Sequence, residues 1–379
     1  MPAPQWPTGK RVVVRAFGES PMEALDEHMV LEPQPAPDPS DLGPKDLLIG
    51  VRSCAVGWVD LIMSSGQYQH MAKPPYVPGL EYAGEVLAVG PEVRGRAVGD
   101  AVLVDGLIAG PRSLGPYQRW GGFASYAVAP EEAALPLPPG WSFAQGCNLL
   151  GNYETAYHCL ITRGQLRAGE TVLINGASGA TGLAAVHIAK IVGATVLATG
   201  RSPAKLEAVA AQGADHVLPC GGEGDQGLDT LRDRVRAIVK GGVDVVYDGV
   251  GGPLTVPSMR AASFGARYLI VGWAATPDVA RGKGKRGAPR VNVVPTNLIL
   301  MKSLDLLGCP TAIATHRDPS IRKPRLDQIL AWVREGRLTP HVDRHFAFDD
   351  MATVREAMRA KWNSESVGGI VLDQPSPIS

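Results

Sequence analysis

One short segment, residues 171–182, constrains what this chain can fold into more than any other. It reads Thr-Val-Leu-Ile-Asn-Gly-Ala-Ser-Gly-Ala-Thr-Gly, an apolar strand that runs into glycines at 176, 179 and 182, and the helical stretch 183–190 follows. Residues 195–199 then form a second apolar run at the spacing of a strand–helix–strand unit. Glycines let the backbone turn sharply beside a phosphate, and a helix start points free N–H groups at the anion. The segment therefore predicts a parallel sheet with a phosphate-binding turn at its carboxyl edge.

The end of the second strand indicates which nucleotide the turn would hold. An NAD site usually carries Asp or Glu about 20 residues after the glycines, where it accepts hydrogen bonds from the ribose 2′-hydroxyl. This chain instead carries Gly200, Arg201 and Ser202, with Lys205 one turn further on. Two cations and a hydroxyl suit a 2′-phosphate, so the pattern favours NADPH. The alternative is that Arg201 and Lys205 are solvated charges at a helix start.

The length and the net charge of the chain limit the class of protein that it can be. A chain of 379 residues is long enough for two domains, each with its own core. Its 37 Lys+Arg balance 37 Asp+Glu, which argues against nucleic acid or an anionic membrane as the main partner. We therefore expect a small-molecule substrate, no nucleic acid and no membrane.

The cysteines and the apolar runs indicate a cytoplasmic protein. The five cysteines form no CxxC pair, so the sequence predicts neither a disulfide framework nor a four-thiolate zinc site. The first residues lack the charged start and apolar core of a secretory signal. No apolar run approaches the roughly 20 residues that span a bilayer.

The pattern of the chain changes near residue 171. Before it, short β-like runs at 12–16, 47–53, 82–89, 101–104 and 124–129 are separated by Gly and Pro, which is typical of a compact antiparallel domain. Beyond it, strands at 216–218, 243–248 and 267–271 alternate with helices at 228–240 and 253–263, as in a parallel sheet covered on both faces. A helix at 351–362 and a strand at 369–372 are predicted to complete the first domain.

Several motifs in order resemble the medium-chain dehydrogenase/reductase superfamily, specifically its zinc-independent quinone oxidoreductase and enoyl reductase branch. The matching stretches span nearly the whole chain and include Pro-Pro-Tyr-Val-Pro-Gly-Leu-Glu-Tyr-Ala-Gly at 74–84, Gly-Gly-Phe-Ala-Ser-Tyr at 121–126, Asn-Tyr-Glu-Thr-Ala-Tyr-His at 152–158, the glycine turn, Gly-Ala-Asp-His-Val at 213–217 and Asp-Val-Val-Tyr-Asp-Gly-Val-Gly-Gly at 244–252.

The resemblance implies an α/β fold, with a GroES-like β-rich catalytic domain and a Rossmann domain whose parallel sheet is doubly wound. We expect the GroES-like domain at residues 1–151, completed by 312–379, and the Rossmann NADPH-binding domain at 152–311. The resemblance also implies an active site in the cleft between the domains. Relatives often pair their Rossmann sheets edge to edge, so we expect a homodimer through the strand at 304–307.

The resemblance further indicates that no catalytic zinc is bound. Alcohol dehydrogenases of this superfamily hold zinc at positions that correspond here to Gly57, Leu80 and Gly151, none of which offers a ligand atom. Without a Lewis acid, a simple ketone is a poor hydride acceptor. A quinone, or the C=C of an α,β-unsaturated carbonyl such as an enone or enoyl thioester, spreads the incoming charge itself. The expected activity is hydride transfer from NADPH to such an acceptor.

Tyr68 is the candidate catalytic acid. The segment Ser-Gly-Gln-Tyr at 65–68 resembles the Gly-x-Tyr segment of enoyl thioester reductases, whose tyrosine is the proposed proton donor. A free tyrosine is protonated at neutral pH, as a donor must be. The alternative is that Tyr68 only lines the pocket, because quinone chemistry needs no such acid.

The expected cofactor contacts come from four places in the chain. They are Asn152 and Thr155 at the nicotinamide and its ribose, the turn residues Gly176, Ser178, Gly179, Ala180, Thr181 and Gly182, the phosphate-binding group Gly200, Arg201, Ser202 and Lys205, and Val250, Gly272 and Trp273 after two later strands. Asn152 and Thr155 could equally cap a helix, and Trp273 could be a core aromatic.

Two broader alternatives remain open. Some members of this branch are structural or RNA-binding proteins that hold NADPH with little turnover, and this chain could be one of them. The basic segment 276–292 could be a solvated insertion, or it could contact a phosphorylated substrate such as a CoA thioester.

Overall fold

A computed structural model describes residues 6–70, 72–221, 227–276 and 292–376. These residues form two compact units. The first unit takes the chain as far as Gly151 and again from Pro340 onwards, and the second takes the described residues from Asn152 to Thr339. The basic segment is therefore outside the described residues, except for its two ends.

The elements are numbered along the chain. The strands are β1 Gly9–Val14, β2 Met29–Gln34, β3 Asp46–Ala55, β4 Tyr82–Val89, β5 Ala101–Val104, β6 Tyr126–Pro130, β7 Ala134–Pro136, β8 Thr171–Asn175, β9 Thr195–Gly200, β10 His216–Pro219, β11 Val243–Asp248, β12 Ala262–Ile270, β13 Asp305–Gly308, β14 Val342–Ala347 and β15 Gly369–Asp373. The helices are α1 Pro21–Glu23, α2 Trp58–Ser64, α3 Phe143–Cys147, α4 Leu150–Tyr157, α5 Ala180–Val192, α6 Pro203–Ala211, α7 Leu231–Ile238, α8 Thr255–Ala261, α9 Thr296–Lys302, α10 Thr311–Arg317, α11 Arg322–Arg334 and α12 Met351–Trp362.

The first unit is built on a mixed sheet in the order β14-β15-β3-β4-β5-β7, with β6 also paired to β3 and with β1 and β2 forming a separate hairpin. All the pairings are antiparallel except that of β14 with β15. The short strands between Gly- and Pro-rich turns produce this pattern. Leu47, Ile49 and Tyr82 are fully buried in its core, so β3 and β4 form the centre of the unit.

The second unit is a six-stranded parallel sheet in the order β10-β9-β8-β11-β12-β13. The central strand β8 is an unbroken apolar run, and Val172, Leu173 and Ile174 have no exposed surface. Such runs are typical of strands covered on both faces. Helix α5 ends at Gly193, which has a φ of +91° and lets the chain reverse into β9. The two sheets confirm the predicted fold class, a β-rich domain with a doubly wound parallel-sheet domain.

The compact units divide the chain at Pro340, whereas the sequence predicts a return to the first domain at residue 312. Helices α10 and α11 belong to the second unit, and the chain rejoins the first unit only at Pro340. The reason is a buried ion pair, because Arg325 of α11 donates to Glu154 of α4 at 2.8 Å. Neither side chain could remain buried without the other.

Candidate functional site

The glycine turn in the second unit has the geometry that phosphate binding needs. Gly176 lies in the left-handed region with a φ of +69°, and the Gly179 N–H donates to its carbonyl oxygen at 3.0 Å. A Cβ on Gly182 would lie 2.3 Å from that same oxygen. The helix can therefore approach the strand this closely only because residue 182 has no side chain.

Helix α5 begins immediately after the turn, with Ala180 and Thr181 in its first turn. Its N-cap is Gly179, which has no side chain that could accept a hydrogen bond from the first N–H groups. Ser178 is half-buried beside them, and Gly179 is exposed. The N–H groups at such a helix start can donate hydrogen bonds to phosphate oxygens, so these residues fit the pyrophosphate of a dinucleotide.

The end of β9 carries the residues that are expected to hold a 2′-phosphate. Arg201 is exposed, and Lys205 is half-buried in the first turn of α6. The Ser202 hydroxyl accepts a hydrogen bond from the Lys205 N–H at 3.4 Å and is the N-cap of α6. Ser202 thus has a structural role already, although its hydroxyl hydrogen can still be donated to a phosphate.

The loops after β11 and β12 meet at the carboxyl edge of the sheet. A Cβ on Gly176 would lie 2.7 Å from Val250 Cγ2, which places Val250 over the glycine turn. Gly272 lies against the neighbouring loop, because its Cβ would be 3.1 Å from the Gly249 carbonyl oxygen. Trp273 is 52 % exposed, which excludes the alternative that it is a core aromatic residue.

A buried polar network under this edge was not predicted. Asp248 at the end of β11 accepts hydrogen bonds from the Val250 and Gly251 N–H groups at 3.1 and 2.9 Å. Its other oxygen accepts from the Tyr268 hydroxyl at 2.6 Å, and the Asn175 amide donates to Asp248 at 3.2 Å. The network fixes the loop that carries Val250. In the sequence, the signal for this network was an acidic residue, Asp248, at the end of a predicted strand.

Asn152 lies beside the glycine turn. Its side-chain oxygen accepts a hydrogen bond from the Thr181 hydroxyl at 3.1 Å. Thr155, one turn further along α4, is half-buried. Both residues lie inside α4, which begins at Leu150, so they are not the N-cap residues that the sequence left as an alternative.

Tyr68 lies in the first unit, in the loop that follows α2. Gly66 begins this loop with a φ of +70°, and Tyr68 is 9 % exposed. Tyr68 packs in the same apolar core as Leu61 and Tyr76. The structure therefore places it at a boundary between core and surface, which is compatible with either expected role.

The positions that correspond to zinc ligands hold no metal-binding atoms. Gly57 and Leu80 donate their N–H groups to the same carboxylate, that of Asp60, at 3.0 and 3.1 Å. A Cβ on Gly151 would lie 2.1 Å from Glu81 Oε1. Among the residues that the structure describes, the grouped ligand atoms that could hold a metal are those of Glu23, Glu27 and His28, in a different part of this unit. The residues at the expected place do not fit a zinc ion.

Four charged side chains, those of Asp60, Glu81, Arg112 and Lys361, lie around these positions instead, and the sequence did not predict that they cluster. Asp60 is 2 % exposed, and burial raises its carboxyl pKa to about 6 although three backbone N–H groups and Arg112 oppose the shift. Arg112 pairs with Glu81 at 3.5 Å. Burial lowers the amine pKa of Lys361 on α12 to about 8, and Asp60 opposes that shift. Asp60 is the third residue after Gly57, and this spacing at the start of α2 was its one sequence signal.

No helix among the described residues is long and apolar enough to cross a bilayer. Two family models match the chain. One, for the alcohol dehydrogenase GroES-like domain, matches residues 43–139, and the other, for zinc-binding dehydrogenases, matches residues 180–317.

Relatives match along most of the chain. A quinone oxidoreductase-like protein 2 homolog from Nematostella vectensis is 27 % identical over 97 % of this chain and 91 % of its own length. The spectinabilin polyketide synthase system protein NorB of Streptomyces orinoci is 34 % identical over 92 % of this chain, but over only 14 % of its own length.

A solved structure shares the fold. The crystal structure of a probable oxidoreductase from Mycobacterium abscessus superposes with a TM-score of 0.75 and 28 % identity, covering 97 % of this chain and 99 % of that one. The domain models, the relatives and this structure agree with the motifs and the two sheets. The chain belongs to the medium-chain dehydrogenase/reductase superfamily, in its quinone oxidoreductase branch.

Proposed function

We propose that this protein is a zinc-independent, NADPH-dependent reductase that transfers hydride to a quinone or to the C=C of an α,β-unsaturated carbonyl, either an enone or an enoyl thioester. One observation carries the proposal: the nucleotide turn is complete, whereas the zinc-ligand positions hold Gly57, Leu80 and Gly151 with carboxylates packed against them. A reductase with that combination needs an acceptor that disperses the incoming charge.

The relatives support this reaction class at a coarser level. Quinone oxidoreductase-like proteins are among them, and a quinone is an acceptor that disperses the incoming charge. The second family model is described as that of zinc-binding dehydrogenases; the proposal of a zinc-independent reaction is supported instead by Gly57, Leu80 and Gly151, which offer no ligand atoms at the corresponding positions.

The nicotinamide cofactor would supply the hydride, and the protein would bind and orient it. Gly176, Ser178, Gly179, Ala180, Thr181 and Gly182 would hold the pyrophosphate, and Arg201, Ser202 and Lys205 would hold a 2′-phosphate. Arg201, which is exposed, and Lys205, which is half-buried in the first turn of α6, supply two positive charges that favour this phosphate over a free ribose hydroxyl. Gly200 gives the backbone room, and Asn152, Thr155, Val250, Gly272 and Trp273 are the proposed contacts of the nicotinamide half.

Tyr68 is the proposed acid for the enone reaction. Hydride addition to the β-carbon moves the C=C electron pair towards the carbonyl oxygen, and a proton must then reach the α-carbon. The hydroxyl of Tyr68 is the proposed source of that proton. A quinone takes its protons on oxygen, where solvent can deliver them, so the two acceptors should depend differently on Tyr68.

Stopped-flow oxidation of NADPH tests the function. We expect loss of NADPH absorbance with at least one quinone, enone or enoyl thioester, and no loss in the absence of acceptor. Tyr68→Phe should slow enone reduction by about 10²-fold and leave quinone reduction within about twofold. The control is Tyr117→Phe, which removes a hydroxyl that donates to Asp46 at 2.5 Å in the same unit. If no acceptor in a broad panel is reduced, the NADPH-binding structural protein replaces this proposal.

We also propose a homodimer in the cytoplasm. Within the described residues, β13 pairs with β12 alone and leaves its other edge open. Leu300 and Met301 on α9, the helix before β13, are 80 % and 73 % exposed. A partner subunit would cover this apolar surface and the open strand edge. The five cysteines are free and buried, which suits a reducing compartment.

A further inference from the structure

We propose that Cys159 and Cys309 form a redox-active thiol pair, which a peroxide oxidises to an intramolecular disulfide. Both residues belong to the second unit, and all five cysteines of the chain are free and buried. Neither residue is among the proposed contacts of the nucleotide or of the substrate, so this proposal does not rest on the proposed function. Disulfides that form in a reducing compartment are usually transient and respond to oxidants.

The two thiols are in contact with each other. Cys159 lies in the helical turn His158–Arg163 that follows α4, and Cys309 comes directly after β13. The Cys159 thiol donates a hydrogen bond to the Cys309 sulfur. A disulfide forms only where two sulfurs can approach each other closely, so a pair that already shares a hydrogen bond needs little movement.

Two further hydrogen bonds hold the segments of the pair in place. Arg163 Nε donates to the Gly308 carbonyl oxygen at 3.2 Å, which joins the helical turn of Cys159 to the residue before Cys309. The Cys309 N–H donates to the Ile270 carbonyl oxygen at the end of β12, at 3.1 Å. The two thiols are therefore kept together by the surrounding fold and do not depend on a chance encounter.

The surroundings make Cys309 the more reactive of the two thiols. The hydrogen bond from Cys159 and the guanidinium of Arg163 lower the thiol pKa of Cys309, although burial opposes this shift. Burial raises the thiol pKa of Cys159, and its hydrogen bond to Cys309 raises that pKa further. Because the thiolate is the nucleophile, Cys309 would attack the oxidant and Cys159 would then attack the oxidised Cys309.

Cys309 is also the thiol that lies nearer to solvent. It is 4 % exposed, its chain neighbours Gly308 and Pro310 are exposed, and so is Arg163. Cys159 has no exposed surface. The Cys309 sulfur thus lies directly beneath surface residues, and hydrogen peroxide is small enough to reach it through local opening of the loop.

The reaction balances with hydrogen peroxide as the oxidant. The Cys309 thiolate attacks one peroxide oxygen and the O–O bond breaks, which leaves a sulfenic acid and a hydroxide that takes up the proton released by the thiol. The Cys159 sulfur then attacks the Cys309 sulfur, the S–O bond breaks, and the hydroxide leaves with the Cys159 proton as water. The two thiols lose two electrons and two protons in all, and the peroxide is reduced to two molecules of water.

The first unit supplies a matched control pair, Cys54 and Cys147. Cys54 lies close enough to Cys147 for a charge on one thiol to affect the other. Burial raises both thiol pKa values, and the Glu81 carboxylate raises both further. The charged side chains that shift these pKa values are carboxylates and not a guanidinium, so neither thiol ionises readily. We expect Cys54 and Cys147 to stay reduced under conditions that oxidise the other pair.

Peptide mass spectrometry of the native wild-type protein is the first test. The reduced protein is treated with hydrogen peroxide, then unfolded and alkylated with N-ethylmaleimide, which labels every thiol that remains. We expect a cross-linked peptide that joins Cys159 to Cys309, alkylation of Cys54 and Cys147, and full reversal by dithiothreitol. The circular dichroism of the treated protein should match that of the reduced protein, because the reaction takes place in the folded state.

Variants separate the roles of the two thiols. In Cys159→Ala, dimedone, a reagent specific for sulfenic acids, should label Cys309 after peroxide treatment. In Cys309→Ala, oxidation of Cys159 should slow at least about tenfold. Arg163→Gln should slow disulfide formation at least about threefold. The control is Arg167→Gln, which changes another exposed arginine nearby in the chain and should leave the rate unchanged.

Three results with the wild type would overturn the proposal. The first is that Cys159 and Cys309 both remain open to alkylation after an incubation that oxidises most of an equal concentration of free glutathione. The second is oxidation of Cys309 that stops at the sulfenic or sulfinic acid. The third is a disulfide that joins two chains or that includes Cys54 or Cys147. None of these measurements requires a variant to fold or an acceptor to be reduced.

Discussion

Gly182 is the residue where the nucleotide turn allows no side chain. Its substitution by alanine would place a Cβ 2.3 Å from the Gly176 carbonyl oxygen, so the helix or the turn must shift. We expect Gly182→Ala to lower the free energy of unfolding by about 1–3 kcal/mol and to weaken NADPH binding at least tenfold. Urea unfolding and fluorescence titration measure the two effects.

Gly308→Ala is the matched control for this substitution. Gly308 belongs to the same unit, and its added Cβ would meet nothing within 4 Å. Its stability should stay within about 0.5 kcal/mol of the wild type. Equal losses in the two variants would show that the close approach at Gly182 has no special cost.

Asp60 should make the free energy of unfolding decrease as the pH rises. Its carboxyl pKa of about 6 is above the ordinary value, chiefly because it is buried, so the folded protein keeps a proton that the unfolded chain loses near pH 4. The stability that Asp60 contributes is therefore full below about pH 4 and is lost as the pH rises through 6. Urea unfolding between pH 4 and 7 should show this decline in the wild type but not in Asp60→Asn. The free energy of unfolding of the wild type should fall over this range by an amount of the order of 2 kcal/mol more than that of the variant. A rise with pH relative to Asp60→Asn would contradict it.

At the scale of single residues, the sequence predicts those that belong to local motifs. The strand–turn–helix context identifies Gly176, Gly179 and Gly182 because their function depends on adjacent backbone. It does not identify Arg112 or Lys361, because the cluster to which they belong depends on residues far away in the chain. No local pattern could reveal a charge cluster assembled from four separate segments.

At the scale of elements, one buried ion pair attaches α11 to the second unit. Glu154 is 4 % exposed and lies beside Arg322 and Arg325. Burial opposes its ionisation, but the two guanidinium groups hold its carboxyl pKa below the usual value. Glu154→Gln would leave buried positive charge without a partner, which we expect to cost about 3–5 kcal/mol in urea unfolding at pH 7.

The comparison for this prediction is Glu335→Gln. Glu335 pairs with Arg337 at 3.3 Å with both side chains about half exposed, at 52 % and 48 %. Solvent screens such a pair, so its loss should cost less than about 0.5 kcal/mol. If both variants lost the same stability, the Glu154 pair would not be what attaches α11.

Most elements were predictable from periodicity, and the exceptions have local causes. Strand β11 lies at the predicted residues, because a short segment rich in Val and Tyr between Gly242 and Gly249 favours a strand. Strand β12 begins at Ala262 rather than at the predicted 267. Gly265 has a φ of +75°, and the register with β11 shifts there, so the alternating pattern is interrupted. The sequence gives no signal that α11 is attached to the second unit, because that attachment involves a buried pair 171 residues apart.

At the scale of the whole molecule, the open edge of β13 should control assembly. Leu300→Glu would place a charge on the exposed apolar surface beside that edge. We expect the dimer to dissociate to a monomer at micromolar concentration, as measured by light scattering. Leu114→Glu is the control, because Leu114 is 65 % exposed in the first unit and should not affect assembly. A wild-type protein that is monomeric at all concentrations would contradict the proposed dimer.

The fold class and the superfamily follow from the sequence because many short motifs occur in a fixed order along the chain. The substrate does not follow, because it is selected by side chains from separate segments rather than by any one motif. In the proposed function, Gly57, Leu80 and Gly151 are the reason for expecting acceptors that need no metal. They do not choose between a quinone and an enone.

The central claim is that hydride transfer here requires an acceptor that disperses charge and does not require a metal. Single-turnover NADPH oxidation by chelator-treated protein, with cyclohex-2-enone and with cyclohexanone as acceptors, tests it most directly. We predict oxidation by the enone at a rate that chelation does not change, and at least about 10²-fold slower oxidation by the saturated ketone. Comparable rates for the two ketones, or activity that disappears on chelation and returns with zinc, would contradict the account.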